Sequence, residues 1–225
     1  MIKLAVRNIE TALKKLYNIE CHRHAEDFLI PEPLPEAKAM GDRYYRGALL
    51  IQKTDDTSAD NHFAVGIYFN EPVRRELGAF PKWFLRTWSK SQLEAFMVAT
   101  EEVSHFHCLL FHAGLGRAVS QLELEIQGEI DKFLMVYFAR IFEQQDAVME
   151  MDRLFDQLFL NFRLADGLSD EQQERYFHAN TYAKRFITKT RRYFKNPLAA
   201  QKALPLFRHF YRLNLAEKLS LISKD

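Results

Sequence analysis

The sequence predicts a mainly α fold, a helical domain with one small β-hairpin at about residues 46–69 near its N-terminus. Three observations lead there. Apolar residues recur at helical spacing through most of the chain after Pro72. Alternation at period two is confined to a short pair of runs. Gly and Pro are sparse, eight and seven in 225 residues, which leaves little chain for irregular linkers. At 48% apolar and 27% charged, the composition is that of an ordinary globular protein. The length suits one domain over 1–225, with residues 1–93 forming a helix-plus-hairpin layer and residues 89–225 a helical bundle. Nineteen Phe predict an aromatic-rich core.

Residues 5–29 read as a helix, with Leu13, Leu16 and Ile19 on one stripe, followed by Ala25, Phe28 and Leu29. The segment PEPLPEAKAMGD (31–42) is a connection, because its prolines remove donors that a helix or strand needs. Two β-like runs follow, 46–53 and 62–69, joined by the polar turn TDDTSAD. Phe63, Val65, Ile67 and Phe69 alternate, so the hairpin buries one face.

From Pro72 on the chain reads as helical. A short helix at 71–78 leads into AFPKWFLRTW, whose Trp83 and Trp88 anchor the start of a long helix. Ser89 or Ser91 caps that helix, with Glu94 placed three after Ser91 as in a capping box, and Gly114-Leu-Gly116 ends it. Ser120 caps the next helix, which runs to about Phe142 and extends into 143–161. Asp166-Gly167 breaks the chain. Ser169 caps a helix over 170–194, and Asn196-Pro197 starts a last helical region that Pro205 kinks or splits.

The segment Glu101-Glu102-Val103-Ser104-His105 carries the most suggestive chemistry. Glu101, His105, Cys108 and His112 fall on one helical stripe, and the apolar neighbours Phe106, Leu109 and Leu110 turn that stripe inward. A buried carboxylate and imidazole must be paired or bound to metal. A Glu101–His105 hydrogen bond in a helical core satisfies this, and so does a metal ion.

The stretch VATEEVSHF resembles the active-site helix of zincin metallopeptidases, where His-Glu-x-x-His supplies two zinc ligands and a base that activates the metal-bound water. Glu102 matches the base and His105 the second ligand, while Glu101 stands where the first ligand His belongs. In the gluzincin branch a third ligand Glu comes from the following helix with an acidic residue one turn on, and Glu125 and Glu129 match these. The resemblance covers about residues 46–130. It implies a metal site of Glu101, His105 and Glu125, with Glu102 as base and Glu129 as the residue that orients a ligand. That donor set is harder than two histidines and a glutamate, so it suits zinc, iron or manganese. A di-iron carboxylate centre is a further alternative: Glu102-x-x-His105 and a lone Glu125 or Glu129 fit it, but Glu20…His24 and Glu174…His178 both miss the second Glu-x-x-His by one residue.

Charge is asymmetric behind the net +1. Residues 94–174 hold sixteen acidic side chains against five basic, and residues 175–218 hold eleven basic against one acidic. In RYFHANTYAKRFITKTRRYFK (175–195), aromatics fall mostly on an apolar face, and Lys184, Arg185, Lys189, Arg191 and Arg192 on the other. These five, with the rest of 175–218, either dock on the acidic middle of the chain or meet nucleic acid or an acidic protein partner. No Gly-rich phosphate loop or Cys-x-x-Cys is present, and Ser104 and His105, adjacent on a helix, do not face each other. Cys21-His22-Arg23-His24 carries metal-binding residue types that would need a partner from elsewhere in the chain, and reads first as a surface helix end. Two cysteines and no long apolar run predict a cytoplasmic protein without a membrane span.

The sequence thus reads first as a helical accessory or binding protein acting through its basic C-terminal surface. The alternative is a metal-dependent hydrolase at Glu101, His105 and Glu125.

Overall fold

A computed structural model describes residues 1–31, 46–53, 63–79, 88–141, 147–164, 167–194 and 196–224. The hairpin turn, most of the 31–42 connection, the stretch around Trp83, Asp166 and Lys195 lie outside these. The fold is mainly α with a two-stranded antiparallel hairpin in the first third of the chain.

Helix α1 spans Ile2–Tyr17 and buries Ala5, Val6, Ile9, Leu13 and Leu16 along one stripe. It stops well short of the expected 29, because Asn18 takes the left-handed conformation at φ 50° and its N–H returns to Lys14 O. Asn is one of the few non-Gly residues that tolerates this cap. The apolar residues beyond it continue the pattern on a different element, a single 3-10 turn at Ala25–Phe28.

Strands β1 (Gly47–Lys53) and β2 (Phe63–Phe69) pair with Gly47 opposite Phe69 and Lys53 opposite Phe63. Ile30 N–H donates to Ile67 O at 2.9 Å, tying the segment after the 3-10 turn to the open side of β2. The hairpin sits close on the long helix: a Cβ at Gly47 would lie 2.7 Å from Val98 Cγ1 and 2.9 Å from Glu102 Cγ. Glycine is therefore what allows β1 to approach the helix that carries the site.

Asn70 caps α2 (Glu71–Gly78) by accepting from Val73 N–H at 3.1 Å. Helix α3 covers Lys90–Gly114. Its capping box is Ser89 with Gln92, not Ser91 with Glu94. The Glu94 carboxylate instead accepts from Arg46 at 2.8 Å.

Helix α4 spans Gln121–Ile141, and Ser120 Oγ accepts from Glu123 N–H at 3.2 Å to cap it. Helices α3 and α4 form an antiparallel pair, since Ser104 meets Asp131 and Glu101 meets Lys132. Helix α4 is buried on nearly every side, with Ile126, Ile130, Phe133, Val136 and Tyr137 all inaccessible.

Helix α5 (Ala147–Phe155) and a π-helical turn (Asp156–Leu160) follow. Helix α6 covers Asp170–Thr190, capped by Ser169, and gives way to a 3-10 turn at Arg191–Tyr193 before the expected limit of 194. The last region is three short helices: α7 (Pro197–Lys202), α8 (Leu204–Arg212) and α9 (Leu215–Ser223). Pro205 sits in the first turn of α8, where a missing N–H costs nothing, so it marks a start and not a kink.

Helix α8 closes the fold onto α1. Tyr17 and Tyr211 stack with ring centres 4.2 Å apart. Arg208 donates to Lys15 O and Leu16 O, and Arg212 to Tyr17 O and Asn18 O, at 2.9–3.2 Å. These guanidinium groups satisfy the carbonyls that the end of α1 leaves open.

Candidate metal centre

The α3–α4 interface is lined by charged groups where two packed helices normally place apolar ones. On α3, Glu101, Glu102 and His105 project across one turn. On α4, Glu125, Glu129 and Lys132 meet them, and Arg175 reaches in from α6. Donor atoms of Glu101, His105 and Glu125 all lie within 4.8 Å of one another.

His105 divides its ring between two carboxylates. Its Nδ1 is 3.7 Å from Glu102 Oε2 and its Nε2 is 3.6 Å from Glu125 Oε2. The Nε2 atom is buried and makes no hydrogen bond. Gly128 explains how the ring fits, because a Cβ there would lie 2.8 Å from Nε2. The absent side chain is the space the imidazole occupies.

Lys132 Nζ lies 3.1 Å from Glu101 Oε2 and 2.8 Å from Glu129 Oε1. Arg175 Nε is 3.7 Å from Glu125 Oε1, and its Nη1 donates to Gln121 at 2.7 Å. Four carboxylates thus face two permanent cations among the described residues, Lys132 and Arg175, which leaves two negative charges in a buried seam. Ionised groups left uncompensated in such a place are expensive.

The titration of these groups reflects that surplus. Burial drives the Glu125 carboxyl up to about 7, with Glu101 and Glu102 adding to the effect and His105 opposing it. Burial likewise raises Glu102 and Glu129. At Glu101, burial pushes upward, but Lys132 and His105 outweigh it and hold that carboxyl below the usual range. Burial works against a charged His105, yet Glu102, Glu125 and Glu101 overcome it and raise the imidazole to about 9. Without another cation, the site gathers protons. Tyr176, next to Arg175, belongs to the same environment, since burial and then Glu125, Glu101 and Glu102 raise its phenol.

A second hydrogen-bonded network, centred on Asp131, lies beside the charged cluster. Asp131, fully buried, accepts from Ser104 Oγ at 2.5 Å, from Gln127 Nε2 at 3.0 Å and from the Tyr17 hydroxyl. Burial pushes Asp131 up to about 6 against those three bonds. The network fixes α3, α4 and α1 in register, and it gives Ser104 a structural partner that is not His105.

The inward stripe on α3 divides between two environments. Cys108 and His112 are buried as expected, but they face the C-terminal helices. His112 Nε2 is 3.0 Å from Tyr211 O, and burial, then Arg117 and Lys218, pull His112 down to about 4. Burial pushes the Cys108 thiol up to about 12.

Other sequence candidates fall elsewhere. His178 pairs with Glu174 at 3.4 Å on the outer side of α6, where Glu174 is 74% exposed, so this pair brings no second histidine to the centre. Arg185, Lys189, Arg191 and Arg192 are exposed and Lys184 is half-buried. Arg191 donates to Asp152 at 2.6 Å and lies over the Phe155 ring, Arg192 lies over Tyr193, and Lys189 donates to Lys224 O. No helix among the described residues is long and apolar enough to cross a membrane.

Sequence reasoning missed Lys132, Arg175 and Gly128. Lys132 had a readable signal: it stands seven residues after Glu125 and three after Glu129, on the same helical face.

The Glu101–His105–Glu125 cluster resembles a degenerate zincin-like metal triad, with Glu101 in place of the first histidine. Comparison with family models, with curated proteins and with solved structures returns no match for this chain.

Proposed function

We propose that the protein binds one divalent metal ion (zinc, iron or manganese) through Glu101, His105 and Glu125, and that the centre serves a hydrolytic reaction. Charge balance carries this reading. Three donors converge in a seam where four carboxylates face two permanent cations; protons at His105 and Glu125 offset the difference in the metal-free protein, and a divalent cation with a neutral His105 would take their place.

Within the reading each residue has a task. Nε2 of His105 is the ligand atom, because it is buried, makes no hydrogen bond and faces Glu125. Glu102 faces Nδ1 from the other side at 3.7 Å, which favours the tautomer that leaves Nε2 free; the zincin resemblance makes it the candidate base, a role that requires its carboxylate to turn from Nδ1 towards a bound water. Lys132 holds Glu101 and is itself held by Glu129, so Glu129 acts on the ligand set through the lysine. A bound ion would supply Lewis acidity and a water of lowered pKa. A set of two carboxylates and one imidazole favours the harder ions more than a two-histidine site does.

Elemental analysis of protein purified without chelator tests the reading. Wild type and Glu102→Gln are expected to carry one more equivalent of metal than His105→Ala. Hydrolysis of ester and peptide probes is expected to fall in Glu102→Gln while the metal stays. Metal-free wild type whose melting temperature does not respond to zinc, iron or manganese would overturn it.

A further inference from the structure

Helix α6 turns its two faces to different surroundings. The inner face buries Ala179, Ala183, Phe186 and Ile187. On the outer face His178, Tyr182, Arg185 and Lys189 follow at steps of four, three and four, so they share a stripe about 16 Å long. Arg192 extends the stripe through the 3-10 turn that follows. Lys184 flanks its basic end, and Phe177, 59% exposed, flanks its aromatic end.

The cations of this face are not neutralised by the fold. No Asp or Glu stands between Glu174 and Glu217 in the chain. Asp152 takes Arg191 at 2.6 Å, and no other carboxylate pairs with a basic residue of 184–192 among the described residues. Lys184 and Arg185 make no side-chain hydrogen bond or ion pair there. Lys189 gives one of its three donors to Lys224 O, and Arg192 lies over the Tyr193 ring. Like charges four apart on a helix, as at Arg185 and Lys189, destabilise it, and a bound polyanion relieves that repulsion.

The rings at the other end narrow the choice of polyanion. His178 and Tyr182 lie side by side, with ring centres 6.1 Å apart and planes within 21°. Phe177 meets His178 edge-on at 6.1 Å. Cations alone would suit any polyanion. Cations and flat rings on one face suit a polymer whose repeat carries both a phosphate and a base. In a duplex the bases are stacked on one another and closed to such rings, so the occupant is single-stranded. An anionic membrane fits less well, because a helix lying in a membrane surface needs an apolar face, and the only large apolar side chain that α6 exposes is Phe177.

We propose that the outer face of α6 binds single-stranded nucleic acid, with Lys184, Arg185, Lys189 and Arg192 on phosphates and His178 and Tyr182 stacking on bases. Glu174, paired with His178 at 3.4 Å, marks where the surface turns acidic. The surface uses none of the residues of the α3–α4 centre, so it stands or falls apart from the metal reading.

Fluorescence anisotropy of a labelled oligothymidylate, titrated with the full chain in the presence of chelator, tests this. At about 50 mM salt, binding is expected with Kd on the order of 1–100 μM. Four phosphate contacts predict a slope of about −2 to −3 in a plot of log affinity against log salt. Arg185→Ala with Lys189→Ala, both exposed positions, is expected to bring that slope to about −1.4. Tyr182→Ala is expected to weaken binding about fivefold or more at unchanged slope, with circular dichroism checking that it folds. An abasic strand of the same length keeps the phosphates and loses the bases, so wild type is expected to bind it about fivefold or more weakly whatever becomes of the variants. Absence of binding at low salt, an abasic strand held as tightly as oligothymidylate, or a slope that the double variant leaves unchanged would each overturn the proposal.

Discussion

His105 is held between two carboxylates, and this sets how the candidate centre responds to pH. Burial opposes its charge, but Glu102, Glu125 and Glu101 raise its pKa from 6.5 to about 9, while burial lifts Glu125 to about 7. A metal ion needs His105 neutral and Glu125 ionised, so it competes with protons at both. Metal affinity is expected to climb as pH rises from about 7 towards about 9, with protons released on binding. Calorimetry in buffers of different ionisation enthalpy reads that release, and an affinity that stays flat across this window would contradict the assignment. For the metal-free fold the sign is opposite. A raised histidine contributes stability that is full below 6.5 and is lost as pH passes through about 9. At this scale the sequence was informative about the candidate ligands and less so about the residues that support them. Glu101 and His105 follow from helical spacing, and Glu125 and Glu129 from the family resemblance. The spacing puts Lys132 on the face of Glu125 and Glu129, but its burial does not follow from spacing, because burial on a charged seam depends on what the partner helix presents.

Helices α3 and α4 can carry charge between them only because one position on α4 has no side chain. A methyl group at Gly128 would lie 2.8 Å from His105 Nε2 and 3.3 Å from Glu101 Cγ. Gly128→Ala improves intrinsic helix propensity by about 1 kcal/mol, but forcing the methyl into this contact costs about 1–3 kcal/mol. The variant is expected to have a lower urea midpoint than wild type and to lose metal. A more stable, metal-competent Gly128→Ala would show that the helices can part there without penalty. Element boundaries were legible where side chains signal them, as at Ser89, Ser120 and Ser169. They were hidden where backbone conformation alone decides. Asn18 ends α1 in the left-handed region in the middle of an apolar pattern that continues through Ile19, so periodicity carried the expected helix too far.

Over the whole molecule, the contrast between an acidic middle and a basic C-terminal region is partly settled inside the fold. Arg175 reaches Glu125, Arg191 reaches Asp152, and Lys218 reaches Glu123 at 3.1 Å. The last pair is buried: Lys218 is 0% exposed and Glu123 1%. Arg117, 2.7 Å from the same carboxylate, is its only other cation among the described residues. Lys218→Ala is expected to cost about 3 kcal/mol in chemical denaturation, the low end for breaking a buried pair, because Arg117 stays. The loss should change little between low and high salt, since a buried pair is weakly screened. An effect under half a kilocalorie, or one that disappears in salt, would place Lys218 at the surface. Composition made the asymmetry visible, but only tertiary contacts show which basic residues are engaged.

The clamp between α8 and the end of α1 has a consequence for how the chain is made. Arg208 and Arg212 satisfy carbonyls 192 to 195 residues earlier. At about 5–20 residues per second, synthesis takes roughly 10–40 s to cover that distance. For that whole interval α1 has neither its arginine caps nor the Tyr211 ring against Tyr17. Helices α2 and α3 cover much of the α1 stripe sooner, so what waits for α8 is the end of α1 around Tyr17, which a cell making this protein has to leave unlatched until then.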